Sequence, residues 1–164
     1  KYKFIKQNTN LLDIGAYPGG WSQVSSKIIT KGKILSLDLK EIEEITNVSF
    51  IQCDFLQKNM NEIVFKHFGK NLDVIISDMA ADTTGNKSLD CIRTNQLCAE
   101  VINFSPKILK TNGVLVSKLF MGDDFLEVKD LAKSKFKKVQ FFKPEASRNE
   151  SKETYLHCST LKTL

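Results

Sequence analysis

Four short apolar runs in the first half of the chain each carry an acid at or near their end, and this constrains the fold more than any other feature. They read "LLDIG" (11–15), "ILSLD" (34–38), "FIQCD" (50–54) and "VIISD" (74–78). Apolar runs this short, rich in Ile, Leu and Val and bounded by turn residues, read as strands buried on both faces. Longer segments of helical periodicity separate them. Strands are expected at Asn10–Ala16, Lys33–Leu39, Val48–Asp54, Leu72–Ala80, Gly113–Phe120, Lys138–Lys143 and Thr154–Thr160. Helices are expected at Gly20–Ile29, Lys58–His67, Leu89–Leu109 and Asp124–Lys135. In the third helix Leu97, Val101, Phe104 and Ile108 recur near every 3.6 residues, and "KTNG" (110–113) supplies a turn signal at its end. Alternation of this kind predicts an α/β fold: a mostly parallel seven-stranded sheet with helices on both faces. The last two strands are joined by a loop alone, so one of them is expected to run antiparallel.

Open α/β sheets bind ligands beyond the carboxyl ends of their strands. Gly15, Gly19 and Gly20 fall there, after the first strand, in "GAYPGGW". Glycine permits positive φ and a close backbone approach, and a helix starting near Gly20 offers free N–H groups to a carboxylate or phosphate. Asp38, Asp54 and Asp78 end the next three strands, which places three carboxylates on one sheet edge. An acid after the second strand suits ribose hydroxyls, and one after the third suits an adenine amino group. So many acids would repel the phosphates of a dinucleotide but attract a cation. The pattern therefore favours S-adenosylmethionine over NAD. A single strand-end Asp is often a helix cap; three beside a glycine turn are more than capping requires. Trp21 opens the helix after the turn, either as a wall of the pocket, with its N–H toward the methionine carboxylate, or as a core residue.

Lys118 interrupts the apolar pattern "GVLVSKLF" (113–120). An unpaired buried ammonium is costly, so the residue either has acidic partners, Asp78 foremost, or snorkels to the surface. Four cysteines without CxxC spacing and only two histidines provide no zinc pattern, and no metal is expected. The cysteines read as core packers in a reduced compartment. The chain holds no apolar run long enough to span a membrane, and no targeting segment is read before the first strand.

The net charge of +5 is uneven. Residues 1–100 carry 12 basic and 12 acidic side chains, whereas residues 101–164 carry 12 basic and 7 acidic. The excess points either to a polyanionic partner such as nucleic acid or to a lysine-rich solvated surface. Lys143, Arg148, Lys152 and the lysines of "KSKFKK" (133–138) are the candidate RNA contacts.

Read in order, "LLDIGAYPGGWSQV" (11–24), "IISDMA" (75–80), "VSKLFMG" (116–122) and "KPEASRNESKETYLHC" (143–158) resemble the motifs of the FtsJ/RrmJ family of RNA ribose 2′-O-methyltransferases. The Pro-Gly-Gly-Trp turn and the Glu-x-Tyr tail are the specific parts; other methyltransferases share only the glycine turn and the strand-end acids. The resemblance implies a Rossmann-like fold in a single methyltransferase domain over residues 1–164, S-adenosylmethionine as cofactor, and a catalytic Lys–Asp–Lys–Glu set. Its last three members fall on Asp78, Lys118 and Glu153. The first, an N-terminal lysine, has no match, since Lys1, Lys3 and Lys6 sit too near the first strand; a short N-terminal segment is expected to be missing. Without the resemblance, Glu153 reads as a surface acid. The implied substrate is a uridine of large-subunit ribosomal RNA, with the large ribosomal subunit as partner and a cytoplasmic location, or a mitochondrial one in a eukaryote. Transfer RNA, an mRNA cap and a catalytically silent RNA-binding module are the alternatives.

Overall fold

The structure, a computed structural model, describes residues 3–144 and 152–163. Strands β1 (Leu11–Ile14), β2 (Ile34–Asp38), β3 (Val48–Gln52), β4 (Leu72–Ser77), β5 (Leu109–Phe120), β6 (Phe136–Phe142) and β7 (Glu153–Leu161) form one sheet in the order β3-β2-β1-β4-β5-β7-β6. Helices α1 (Gly20–Ile28), α2 (Met60–Phe68), α3 (Lys87–Ile108) and α4 (Phe125–Lys135) connect them. All pairings from β3 across to β5 are parallel, and β7 pairs antiparallel with both β5 and β6. The expected antiparallel strand is thus the last one, wedged between its two predecessors.

Neighbouring residues of a strand point to opposite faces, and the core divides accordingly. Leu12, Ile14, Leu35, Leu37, Ile75 and Leu115 pack beneath α2, α3 and α4. Leu11, Ile34, Val74, Ile76 and Val116 pack with Ile29, Trp21 and the N-terminal Phe4 on the other face. The cysteines are free and sit inside or half inside the fold, as expected of packing residues. Burial pushes the Cys98 thiol up to about 12. Asn86 caps α3, its side-chain oxygen accepting from the N–H groups of Ser88 and Leu89 at 3.1 and 3.2 Å.

The "KTNG" turn takes a different form from the one expected. No loop separates α3 from β5: the helix ends at Ile108 and the strand begins at Leu109. Leu72 pairs with Leu109, but Val74 pairs with Val114, so the strand bulges by three extra residues. Lys110, Thr111 and Asn112 project into solvent there, and Gly113 closes the bulge where a Cβ would lie 2.4 Å from the Leu109 Cγ.

Among the described residues, one acidic side chain lies wholly inside. Asp13 faces α1, where its Oδ2 accepts from the Ser22 hydroxyl at 2.5 Å, and that hydroxyl also meets the Ser36 hydroxyl at 2.7 Å. Its Oδ1 has no hydrogen-bond partner. Burial, reinforced by the charges of Asp78 and Asp38 and opposed by the Ser22 hydrogen bond, raises its carboxyl to about 7. The unfolded chain ionises this group near pH 4, so between pH 4 and 7 the native state holds the extra proton and stability falls as pH rises. Asp13→Asn removes this loss. Urea titrations at pH 5 and pH 8 should show the variant gaining on the wild type by up to about 3 kcal/mol more at the higher pH. A gain equal at both values would mean that Asp13 does not titrate in this range.

Candidate active site

Strand order reverses between β1 and β4, and a cleft of about 390 Å³ opens at their carboxyl ends. Gly15, Asp38, Asp54 and Asp78 all line it, as the sequence predicted. Leu37, Leu39, Phe55, Leu56, Met79 and Leu97 give it apolar walls. Asp38 also clasps the two strand-end turns together: its Oδ2 accepts from Tyr17 N at 2.9 Å and its Oδ1 from Lys40 N at 2.8 Å. The Lys40 ammonium lies 5.1 Å from the Tyr17 ring centroid, beside that clasp. Asp54 is exposed and accepts from Leu56 N at 2.9 Å.

Gly15 takes φ 73° and Gly19 φ 112°, so both bend through the left-handed region. Gly19 caps α1, and Gly20 begins it. Neither lines the cleft, and neither does Trp21. The Trp21 ring, one of whose expected places was the pocket wall, packs instead on Tyr155, with centroids 5.4 Å apart.

Tyr155 leads to the other half of the site. It stands opposite Lys118 in the β5–β7 pairing, with Glu153 opposite Phe120 two residues on. The Lys118 Nζ lies 3.1 Å from Asp78 Oδ1 and 4.0 Å from Glu153 Oε2. The Tyr155 hydroxyl donates to Asp78 Oδ1 at 2.9 Å and approaches Glu153 Oε1 at 3.3 Å. Three strands thus bring Asp78, Lys118 and Glu153 together, and Lys118 has acidic partners rather than snorkelling. Burial, then the two carboxylates, holds the Tyr155 phenol far above its ordinary value, so it serves as a neutral donor. Tyr155 was not a candidate in the sequence; its quoted place in the Glu-x-Tyr tail was the available signal. Asp82, on the loop after β4, also enters the cleft lining unpredicted. Among the described residues no cluster of His, Cys, Asp and Glu is arranged to hold a metal ion.

Lys143 and Lys152 are exposed beside this cluster, after β6 and before β7. Arg148 lies outside the described residues. The lysines of "KSKFKK" lie at the other end of the sheet. They end α4 and open β6, and Phe136 pairs with Leu161 while Phe142 pairs with Tyr155. The length of β6, roughly 20 Å, therefore separates them from Lys118. Lys3 and Lys6 are exposed on the N-terminal segment, where Phe4 packs edge-on against His157.

Comparison with known proteins follows the same path. The model of the FtsJ-like methyltransferase family matches residues 1–161. The ribosomal RNA large subunit methyltransferase E of Pelagibacter ubique is 43% identical over 162 residues, covering 99% of this chain and 80% of that protein. A Plasmodium falciparum crystal structure described as a ribosomal RNA methyltransferase superposes with a TM-score of 0.82 at 31% identity, covering 96% of this chain and 89% of that one. A Streptococcus mutans structure described as a methyltransferase in complex with SAH has a TM-score of 0.63 at 14% identity, covering 97% and 90%, and shares the fold.

The tightest contact of the cleft is at Gly15. A Cβ there would lie 2.8 Å from Met79 Cγ and 2.9 Å from Met79 N, on a backbone already at positive φ. Gly15→Ala should therefore cost about 1–3 kcal/mol, read as a lowered thermal midpoint. Gly20→Ala, with nothing within 4 Å of the added carbon, should fold at least as stably as the wild type. Equal loss at both positions would refute this packing.

Proposed function

The chain belongs to the FtsJ-like methyltransferase family, and on that premise we propose that it transfers a methyl group from S-adenosylmethionine to a ribose 2′-hydroxyl of RNA, on a uridine of large-subunit ribosomal RNA. The observation that carries the reading is the Lys118 ammonium held between Asp78 and Glu153 at the rim of the acidic cleft. The Pelagibacter relative supports ribosomal RNA as the substrate by its name, and the SAH complex of the Streptococcus neighbour supports the cofactor.

The cleft suits that cofactor by its own chemistry. Four carboxylates favour a ligand carrying a sulfonium and an amino group, and the apolar walls leave an adenine dry. Asp38, half-buried at the end of β2, retains lone pairs for ribose hydroxyls beyond its two backbone bonds. Bound there, S-adenosylmethionine supplies an activated methyl group. Lys118 is the residue placed to receive the proton of the attacking 2′-hydroxyl. It does so as the neutral amine, and Asp78 and Glu153 stabilise the ammonium that results. Tyr155 donates to Asp78, approaches Glu153 and helps to fix the orientation of both. Much of the rate then comes from alignment of donor and hydroxyl by the three strand ends. Lys143 and Lys152 contact RNA phosphates around this edge, Arg148 is proposed as a further phosphate contact from its sequence alone, and such contacts set affinity more than sequence choice. Among the described residues no helix is long and apolar enough to cross a membrane.

Lys118→Ala should abolish tritiated methyl transfer to unmodified ribosomal particles while folding and cofactor binding persist. Lys118→Arg should be nearly as inactive, because a guanidinium does not release its proton near neutral pH. An Arg variant with full activity would exclude proton abstraction by Lys118. Calorimetry should show that Asp38→Ala weakens S-adenosylmethionine binding about tenfold or more, since it removes both the ribose acceptor and the clasp. Unchanged affinity would displace the cofactor from this cleft.

A further inference from the structure

The lysines are sorted by the fold. The parallel strands place Asp38, Asp54, Asp78 and Asp82 at one edge of the sheet. The opposite edge receives the C-terminal turns of all four helices, the openings of β2, β5 and β6, and the end of β7. Over residues 27–35, 66–73, 105–112, 133–138 and 160–163, which form that edge, every charged side chain is a lysine except Asp73. Asp73 is already taken: Lys110 Nζ reaches its Oδ1 at 2.5 Å, and its Oδ2 accepts from Asn10 N at 2.8 Å. Lysines in the last turn of a helix complement its dipole, which accounts for Lys27, Lys66, Lys107, Lys133 and Lys135. It does not account for Lys31 and Lys70, which stand in loops and are exposed.

A polar hollow of about 240 Å³ opens in this edge, lined by Thr30, Lys33, Asn47, Ser49 and His67 among others. The Lys33 ammonium donates to the His67 carbonyl at 3.2 Å. The His67 Nε2 is buried and has no hydrogen-bond partner. Burial, then the Lys33 charge, holds the imidazole below its ordinary pKa, so near pH 7 it is a neutral ring. Hydroxyl, amide and ammonium groups thus converge on a recess large enough for a phosphate, inside a field of uncompensated positive charge.

We infer that this amino-terminal sheet edge is a second RNA-docking surface, which grips the phosphate backbone of a segment distant from the methylated nucleotide. The inference rests on the proposed action on RNA. The charge of the edge is complementary to a polyanion, and its clustered lysines repel one another until such a partner neutralises them. The strand length, roughly 20 Å, separates it from Lys118, so one short strand in the cleft does not reach it. A large folded RNA, which presents backbone on several sides, does.

The test compares two triple variants of equal charge. One carries Lys31→Gln, Lys66→Gln and Lys70→Gln; the control carries Lys58→Gln, Lys87→Gln and Lys129→Gln, outside this edge. Binding to an unmodified large-subunit ribosomal RNA transcript is followed by filter retention across a salt series. The edge variant should bind about tenfold more weakly at low salt, with the slope of log affinity against log salt reduced by roughly 2–3. The control should lose clearly less, and both variants should bind a short oligonucleotide of the target sequence alike. Equal losses in the two variants, or none in either, would overturn the inference. So would retention on phosphatidylglycerol vesicles that only the edge variant loses, with its RNA binding intact, since that assigns the face to a membrane surface. Binding is read without methyl transfer. A wild type that grips RNA by this edge but methylates none refutes the reaction and leaves the docking surface standing; an active enzyme indifferent to the edge variant does the reverse.

Discussion

Parallel pairing is the constraint on which the rest of this molecule depends. When β3, β2, β1, β4 and β5 run the same way, each must return through a crossover, and each delivers its last residue to the same edge. Asp38 and Asp78 arrive on either side of the end of β1 for that reason, though 40 positions separate them in the chain. The reversal of strand order between β1 and β4 leaves a gap over their ends, because the crossovers on either side depart in opposite directions. The cleft, its acidic lining and the basic edge at the other end are three results of that one directional rule.

The last strand breaks the rule, and the site gains from it. Because β7 runs antiparallel, its beginning rather than its end meets the tip of β5. Glu153 and Tyr155 therefore reach Lys118 from the opposite direction to Asp78. A parallel strand in the same place would have presented its final residues there. The ammonium is thus enclosed by carboxylates carried on two strands that flank its own. Removal of one carboxylate leaves it a partner, which makes the arrangement more tolerant than a lone buried ion pair.

Much of this was legible in the sequence, and the gaps have identifiable physical causes. Strands such as Leu11–Ile14 and Ile34–Asp38 stood out because burial on both faces demands continuous apolar runs. Asp38, Asp54 and Asp78 were readable as one edge once the strands were taken as parallel. Strand order was not readable, because pairing is a long-range choice that local pattern does not encode. The position of "KSKFKK" was not readable either: a count of charges has no direction, and only the sense of β6 shows which end of the sheet holds them. The bulge at 110–112 was mistaken for a loop because its turn residues are the same in either setting. Glu153 carried no local sign of its role, and only the resemblance in the surrounding tail raised it above an ordinary surface acid. Asp13 sat in plain view in "LLDIG", yet its burial depends on α1 folding back to offer Ser22.

The placement of Trp21 has a practical consequence. It is the sole tryptophan of the chain, and its ring rests on Tyr155, whose hydroxyl is bonded to Asp78. The one strongly emitting fluorophore of the protein is therefore three contacts away from the lysine at the centre of the charged cluster. Emission from an indole responds to nearby charge and to the packing of its neighbours. The molecule accordingly carries its own optical reporter, and events among those carboxylates can be followed in the native chain without an added dye.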